Sequence, residues 1–138
     1  MAFAAEQIFA HARTMPDKTA VAADGREVTF SRLAALVYGV AEALKEQGLP
    51  AESRVVSVAS ATVDYVAVCY GIHLGGYVHV PVEKGIPRER LAEIADRVEA
   101  ALILSPEDPA RNGGWYTPSE LMAAGGFRGF ESLPRCRW

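Results

Sequence analysis

Three short apolar segments, spaced so that a helix fits between each pair, constrain the fold of this chain most strongly. They are RVVSVAS at residues 54–60, YVHVPV at 77–82 and AALILS at 100–105. Each is rich in β-branched or aliphatic residues and is short enough for a strand buried on both faces. Strand, helix, strand, helix, strand is typical of a parallel sheet with right-handed crossovers. The sequence therefore predicts an α/β fold with a small, mainly parallel sheet and flanking helices.

Two helices are predicted to precede this sheet. The first covers residues 4–14 and ends before Pro16. In the second, apolar residues at helical spacing form one stripe, namely Leu33, Leu36, Val37, Val40, Ala41 and Leu44. Thr29 is its predicted N-cap, and Gly48 supplies a left-handed stop. Between the two helices, Asp24-Gly25 predicts a type I′ hairpin turn joining short strands at 20–23 and 27–30.

Two more helices are predicted between the strands. Residues 63–74 lie between a cap at Thr62 or Asp64 and the stop at Gly75-Gly76. This segment is apolar almost all round, which predicts a buried helix, although its valines leave a strand open as an alternative. Pro87 suits the first turn of the next helix. Its apolar stripe consists of Leu91, Ile94, Ala95 and Val98.

The glycines in GIHLGGYVHVPVE raise the question of a phosphate-binding loop. Such a loop follows a strand and opens a helix, so that backbone N–H groups and the helix dipole face the anion. Here the order is reversed, because Gly75 and Gly76 close a helix and lead into a strand that Pro81 should end. The pattern therefore favours a helix C-cap and a tight turn over a phosphate site.

Composition limits the function classes. The 138 residues fit one domain, and a net charge of −3 offers no electrostatic footprint for nucleic acid or an anionic membrane. No apolar run reaches the length of a transmembrane segment, and the N-terminus, with Glu6, does not resemble a secretory signal. Cys69 and Cys136 form neither a disulfide framework nor a metal-binding spacing. We therefore expect a cytoplasmic protein in which Cys69 is a buried, reduced thiol.

The last part of the chain differs in composition. Residues 106–138 are dense in glycine and proline, with one short helix predicted at 118–124. Trp115 and Tyr116 could stack on a base, but the absence of a basic cluster favours packing or a loose tail. The chain is thus divided into a partial subdomain, residues 1–105, and a tail, residues 106–138. Truncation of the chain or a shifted reading frame would explain the unusual composition of the tail.

No residue is assigned a catalytic, cofactor-binding or metal-binding role. His79, on a strand, is interpreted as a half-buried, hydrogen-bonded histidine rather than a base or ligand. His73 favours the C-terminal dipole of its helix, and His11 has no partner in sequence. Ser57 and Ser60 do not lie in a nucleophile elbow. The sequence shows no nucleophile–base pair and no metal set, which argues against a complete small enzyme.

Three motifs in order resemble the opening of the adenylate-forming enzymes, which include acyl-CoA ligases and the adenylation domains of peptide synthetases. They are Pro-Asp-Lys at 16–18, Thr-Phe-Ser-Arg-Leu at 29–33 and HLGGYVHVP at 73–81. The resemblance covers residues 9–105 and departs from the family pattern at Arg32, where Glu is usual, and at His73, where Lys is common. The segment HVPVEKGIPRERL is most similar to fatty-acyl-CoA and related ligases.

The resemblance implies a parent enzyme that uses ATP and Mg²⁺ to convert a carboxylate into an acyl-adenylate and then passes the acyl group to CoA. The family's Ser/Thr/Gly-rich phosphate loop, its Tyr-Gly-x-Thr-Glu segment, its ribose-binding Asp and its catalytic Lys are not found in this sequence. We therefore expect an N-terminal fragment that binds no cofactor, is inactive alone and is marginally stable. Its expected partners are the remainder of a split ligase or a second copy. The alternative is a self-standing, non-catalytic α/β module that binds a ligand near Ser60 and Pro81.

Overall fold

The computed structural model describes residues 3–105 and 115–116. Four helices and six strands follow one another along this part of the chain: α1 Phe3–Thr14, β1 Thr19–Ala23, β2 Arg26–Thr29, α2 Phe30–Glu46, β3 Arg54–Val58, α3 Val63–Leu74, β4 Val78–Val82, α4 Arg88–Arg97, β5 Leu102–Leu104 and β6 Trp115–Tyr116. The order of helices and strands predicted for residues 4–105 is confirmed.

The main sheet has four parallel strands in the order β4-β3-β5-β6. Because β3 lies between β4 and β5, the crossover through α3 and the crossover through α4 run in opposite directions. The two helices therefore cover opposite faces of the sheet, with Val55 packed on the α3 side and Val56 on the α4 side. The predicted α/β class with a parallel sheet is confirmed.

The fourth strand comes from the segment that was expected to be a tail. Ile103 pairs with Trp115 and Leu104 with Tyr116, in parallel register. The backbone of this dipeptide thus extends the sheet, a pairing that no sequence pattern indicated. The helix predicted at 118–124 lies outside the described residues.

The hairpin and the helix caps form where the sequence predicts them. Asp24 and Gly25 have φ values of 53° and 70°, as a type I′ turn requires. The side chain of Thr29 accepts a hydrogen bond from the Arg32 backbone N–H at 3.2 Å and thereby caps α2. Gly48, with a φ of 74°, follows the C-terminus of α2 in the predicted left-handed conformation.

Helix α3 has the predicted bounds and is a helix rather than a strand. Thr62 is its N-cap and accepts from the Tyr65 N–H at 3.1 Å, while Asp64 instead forms an ion pair with Arg26 at 3.3 Å. The expectation that α3 is buried all round is wrong. Its buried residues are Val63, Ala67, Val68, Gly71 and Ile72. Between them, side chains such as Cys69 remain half-buried.

Close packing of α2 on α3 depends on a glycine. A Cβ atom at Gly71 would lie 2.5 Å from the Cβ of Val40, a distance that real Cβ atoms do not adopt. The backbone of α3 therefore approaches α2 more closely than any other residue type at this position would allow.

Strand β4 begins one residue later than predicted. The Tyr77 N–H donates to the Ile72 carbonyl at 3.1 Å and so completes the turn that ends α3. Pro81 does not end the strand, which continues to Val82. A proline is tolerated here because β4 is an edge strand among the described residues and Val78, three positions earlier, donates inward to the Ser53 carbonyl at 2.9 Å.

Helix α4 begins immediately after Pro87, which occupies the N-cap with extended backbone rather than the first turn. Its buried side chains are those of Leu91 and Ala95, two members of the predicted stripe. Val98 is the C-cap, and Glu99 follows with a φ of 53°. The C-terminus of α4 therefore uses a left-handed residue that is not glycine.

Candidate functional site

A polar cluster on the α3 face of the sheet is the strongest candidate site within the described residues. It consists of Ser57 on β3, His79 on β4, and Tyr65 and Cys69 on α3, with His73 at the last turn of α3. Alternation along the strands explains its position. Ser57 shares a face with Val55, which packs under the helices, and His79 lies opposite Val55 in the neighbouring strand.

Ser57 is the centre of the cluster. Its side chain is fully buried, with a relative exposure of 1%. Its hydroxyl donates to the Tyr65 phenol oxygen at 3.3 Å, and its Oγ lies 2.5 Å from Nε2 of His79. Both contacts satisfy a hydroxyl that would otherwise be costly to bury. The predicted half-buried, hydrogen-bonded state of His79 is confirmed.

The environment favours the neutral forms of three members of the cluster, His79, Tyr65 and Cys69. Burial, followed by the charge of His73, lowers the pKa of His79 below its ordinary value. Burial raises the pKa of the Tyr65 phenol and of the Cys69 thiol. A thiol with a raised pKa is a poor nucleophile at neutral pH because the thiolate is the reactive form.

Ser57 and His79 form a pairing of nucleophile and base that was not predicted from the sequence. Two features argue that it is structural. Ser57 is buried beneath α3, so its Oγ is not open to the surface from which a substrate would approach. Within the described part of the chain, neither nitrogen of His79 forms an ion pair with a carboxylate that could orient the ring as a general base. The sequence does contain a signal for this pair. Residues 55 and 57 lie on one face of β3 by alternation, and residue 79 lies on the same face of the sheet if β4 pairs with Val55 opposite His79.

The other histidines and Ser60 lie outside this network of hydrogen bonds. The ring of His11 packs on Phe30, with ring centroids 5.1 Å apart. His73 is exposed and contacts His79 edge to face, with ring centroids 5.8 Å apart. Ser60 lies just beyond β3 and shares a hydrogen bond of 2.9 Å with the Thr62 hydroxyl. In residues 3–105 and 115–116 no group of three potential metal ligands converges.

The glycine-rich turn is the helix C-cap that the sequence predicts. Gly75 and Gly76 donate to the carbonyls of Gly71 and His73 at 3.0 and 3.1 Å. Gly76 adopts a φ of 83°, which a glycine accommodates without strain. Because the end of α3 at this turn carries carbonyl groups, its dipole disfavours an anion. The turn therefore does not fit a triphosphate.

The opposite end of α3, at the carboxyl edge of the sheet, is also poorly suited to phosphate. Thr62 already accepts the Tyr65 N–H, and the Asp64 carboxylate lies in the first turn of the helix. A carboxylate at this position takes the place that an anionic ligand would occupy. The helix ends on either side of the cluster thus provide no cradle for ATP.

None of the helices among the described residues is both long and apolar enough to cross a membrane.

Comparison with known families gives the context for this fold. The family model described as AMP-binding enzyme matches residues 8–121. The chain belongs to the AMP-binding enzyme family. This confirms the resemblance to adenylate-forming enzymes drawn from residues 9–105. Its α/β unit corresponds to the N-terminal part of the large domain of these enzymes.

The similar proteins come from more than one branch of the family. A linear gramicidin synthase of Brevibacillus parabrevis is 30% identical over 102 residues, or 74% of this chain. A Mycobacterium tuberculosis protein, 3-[(3aS,4S,7aS)-7a-methyl-1,5-dioxo-octahydro-1H-inden-4-yl]propanoyl:CoA ligase, is 32% identical over 93 residues, or 67% of this chain. The AMPPNP-bound form of FmoA3, a nonribosomal peptide synthetase, superposes with a TM-score of 0.76 at 27% identity over 86% of this chain. The sequence-based preference for acyl-CoA ligases is therefore not confirmed.

The matches cover little of each similar protein. The chain spans 1% of the gramicidin synthase, 18% of the CoA ligase and 13% of the FmoA3 chain. The comparisons therefore establish the family and the fold of this segment.

Proposed function

We propose that this chain supplies the N-terminal part of an ATP-dependent ligase that activates a carboxylic acid as an acyl-adenylate. The family match over residues 8–121 is the observation that carries the proposal. The superposition on FmoA3 supports it, because similarity extends through most of the chain rather than through one motif. In this proposal the acyl group is then transferred to the thiol of CoA.

The contribution of this segment is structural. Activation of a carboxylate needs donors around the phosphates, a metal ion to neutralise charge and a cation near the reacting carboxylate. Neither the turn at Gly75-Gly76 nor the capped N-terminus of α3 fits a triphosphate. We therefore assign no step of the reaction to the described residues. ATP, Mg²⁺ and CoA belong to the proposed activity of a whole enzyme.

The choice of CoA as the thiol that accepts the acyl group rests on one segment of the sequence and one similar protein. The segment at residues 79–91 resembles CoA ligases, and a CoA ligase is among the similar proteins at 32% identity. A peptide synthetase is 30% identical over a slightly longer stretch. Both branches of the family are thus similar to this chain at nearly equal identity. Formation of a CoA thioester, rather than of an acyl group on a carrier-protein thiol, is the result that tests this part of the proposal.

The first test is ATP–pyrophosphate exchange by the purified 138-residue chain. Fatty, aryl and amino acids are supplied separately with Mg²⁺, and a whole CoA ligase serves as the positive control. We expect no exchange above background with any acid. Saturable exchange by this chain alone would overturn the proposal that the segment lacks the catalytic machinery.

The second test is translation of the DNA beyond the Trp138 codon in all three frames, with a search for a separate gene encoding the complementary segment. A Ser/Thr/Gly-rich segment ending in Pro-Lys-Gly, in any frame or in a partner gene, would support the proposal. The restored or co-expressed protein would then be assayed for CoA thioester by mass spectrometry. If no such segment is found and the chain instead binds a small ligand saturably, the non-catalytic binding module would replace the ligase proposal.

The third test concerns partners. We propose that the chain associates with the remainder of a ligase or with itself, because an isolated part of a larger domain leaves surface that its missing neighbours would cover. Light scattering coupled to gel filtration measures the mass in solution. A strictly monomeric protein with a sharp, reversible melt well above the mesophile range would contradict this expectation.

A further inference from the structure

Two histidines on neighbouring elements form what we call the imidazole pair, His73 on α3 and His79 on β4. Their ring centroids are 5.8 Å apart and their planes are inclined at 71°. His73 is exposed, whereas His79 is half-buried and in contact with Ser57. The pair thus joins the last turn of α3 to the edge strand of the sheet.

The surroundings of the pair offer little compensation for positive charge. His79 contacts Ser57 from β3 and His73 from α3. The other titratable groups of the cluster are Tyr65 and Cys69 on α3, which join it through Ser57 and through each other. Within the described residues, neither imidazole forms an ion pair with a carboxylate. The carboxylate of α3, Asp64, is paired with Arg26. Glu83 is exposed, four residues beyond His79, or roughly 13 Å along an extended chain.

The contact with Ser57 does not favour the protonated form of His79 over the neutral one. The Ser57 oxygen can accept from Nε2 of His79 whether the ring is neutral or charged, while the Ser57 hydroxyl donates to Tyr65. The contact between the two side chains therefore persists in both states. What changes on protonation is the cost of a charge in a half-buried position beside a second imidazole.

We propose that the imidazole pair makes the packing of β4 against α3 sensitive to acid. While His79 is uncharged, the two rings pack edge to face and the Ser57 contact holds β4 in place. In acid, protonation of His79 places a positive charge in this half-buried junction beside His73, and neither ring has a carboxylate partner in the described residues. The edge strand and the last turn of α3 are then the first part of the molecule to loosen.

The direction of the pH dependence follows from the lowered pKa of His79, caused first by burial and then by His73. The folded state binds fewer protons at this position than the unfolded chain does. The stabilisation is complete above the ordinary pKa of histidine, about 6.5, and is lost as the pH falls from there toward the lower folded-state pKa. The unit should therefore be most stable at neutral or mildly alkaline pH.

The test uses thermal unfolding of the 138-residue chain between pH 8 and pH 5. The variants are His73→Gln, His79→Gln and, as the matched control, His11→Gln, which removes the imidazole that packs on Phe30. Glutamine keeps a polar group but does not titrate. We expect the acid-induced fall in Tm to be smaller by about 2–4 °C in His73→Gln and in His79→Gln than in the unmodified chain. The control should show the unmodified slope.

Direct titration of the imidazoles by NMR completes the test. His79 should titrate below the ordinary histidine range, and its pKa should move upward in His73→Gln because a neighbouring positive charge is removed. Since His73 is exposed, this variant retains the fold even if His79→Gln does not. An ordinary His79 titration that is unchanged in His73→Gln, or an equal flattening of the Tm profile by His11→Gln, would overturn the proposal.

Discussion

The two faces of the parallel sheet are covered very differently. In the described part of the chain, the α3 face is packed beneath α1, α2, α3 and the hairpin, with twenty buried residues in one cluster. The α4 face is covered by one ten-residue helix, with a cluster of five. We therefore expect the larger cluster, on the α3 face, to contribute more to stability than the cluster on the α4 face. The α4 face is the part most dependent on whatever else packs there.

The largest predicted effect is a direct comparison of the two faces. Leu44→Ala removes a fully buried side chain from the α3-side cluster, and Leu91→Ala makes the same chemical change on the α4 side. We expect a loss of about 3–5 kcal/mol for Leu44→Ala and of about 2–3 kcal/mol for Leu91→Ala, because a thin cluster can relax around the cavity. Urea unfolding monitored by circular dichroism measures both. Equal losses of stability in the two variants would contradict the proposed difference between the two faces of the sheet.

The second prediction examines the close approach of α2 and α3. Gly71→Ala places a methyl group 2.5 Å from the nearest atoms of Val40, so the helices must separate. We expect a loss of about 1–3 kcal/mol, despite the higher helix propensity of alanine. Val40→Ala removes the Cγ1 contact but keeps the Cβ contact, so Gly71→Ala should cost less stability in a Val40→Ala background than in the unmodified chain. A stabilising Gly71→Ala would show that the two helices are not in tight contact.

The third prediction concerns Ser57, the buried polar side chain on the otherwise apolar α3 face. Ser57→Ala removes the hydroxyl that lies between Tyr65 and His79. We expect a loss of about 1 kcal/mol, because two partners lose a buried hydrogen bond while the serine is replaced by an apolar side chain. Ser60→Ala serves as the control, since its hydroxyl is half-buried and bonds to a local threonine. A neutral Ser57→Ala would mean that the network contributes nothing net to stability.

The smallest effect is a gain on the α4 side. Glu99 follows the C-terminus of α4 with a φ of 53°, and the Ala100 N–H donates to the Ala95 carbonyl at 2.9 Å, as in a Schellman motif. Glu99→Gly should stabilise the chain by about 0.5–1 kcal/mol, because glycine adopts this conformation without strain. The same urea titration measures it. A loss of stability would show that the Glu99 side chain makes a contribution larger than its strain.

The sequence predicts the local structure well where local chemistry decides it. The bounds of α3 follow from Thr62 at one end and Gly75 at the other, which act on their own backbone neighbours. The type I′ turn follows in the same way from Asp24-Gly25. Capping and turn formation depend on few residues, so a single sequence is enough to locate them.

The candidate site was harder to predict because it depends on register. Ser57 and His79 are 22 positions apart and meet only when β3 and β4 pair with Val55 opposite His79. That register is determined by packing across the whole sheet. The partial exposure of α3 was missed for a related reason. Apolar composition shows that a helix can be buried, but it does not show which of its sides the rest of the chain covers.

Pro81 has a consequence for how this chain behaves beside copies of itself. The Val78 N–H points inward to the Ser53 carbonyl, and alternation then directs the backbone nitrogens of residues 79 and 81 toward the open edge of β4. At residue 81 that nitrogen carries no hydrogen, so the outward donor does not exist. An incoming strand that tried to add to this edge would find one of its carbonyls without a partner. We therefore expect the proline to disfavour the addition of a further strand at the edge that the described residues leave unpaired.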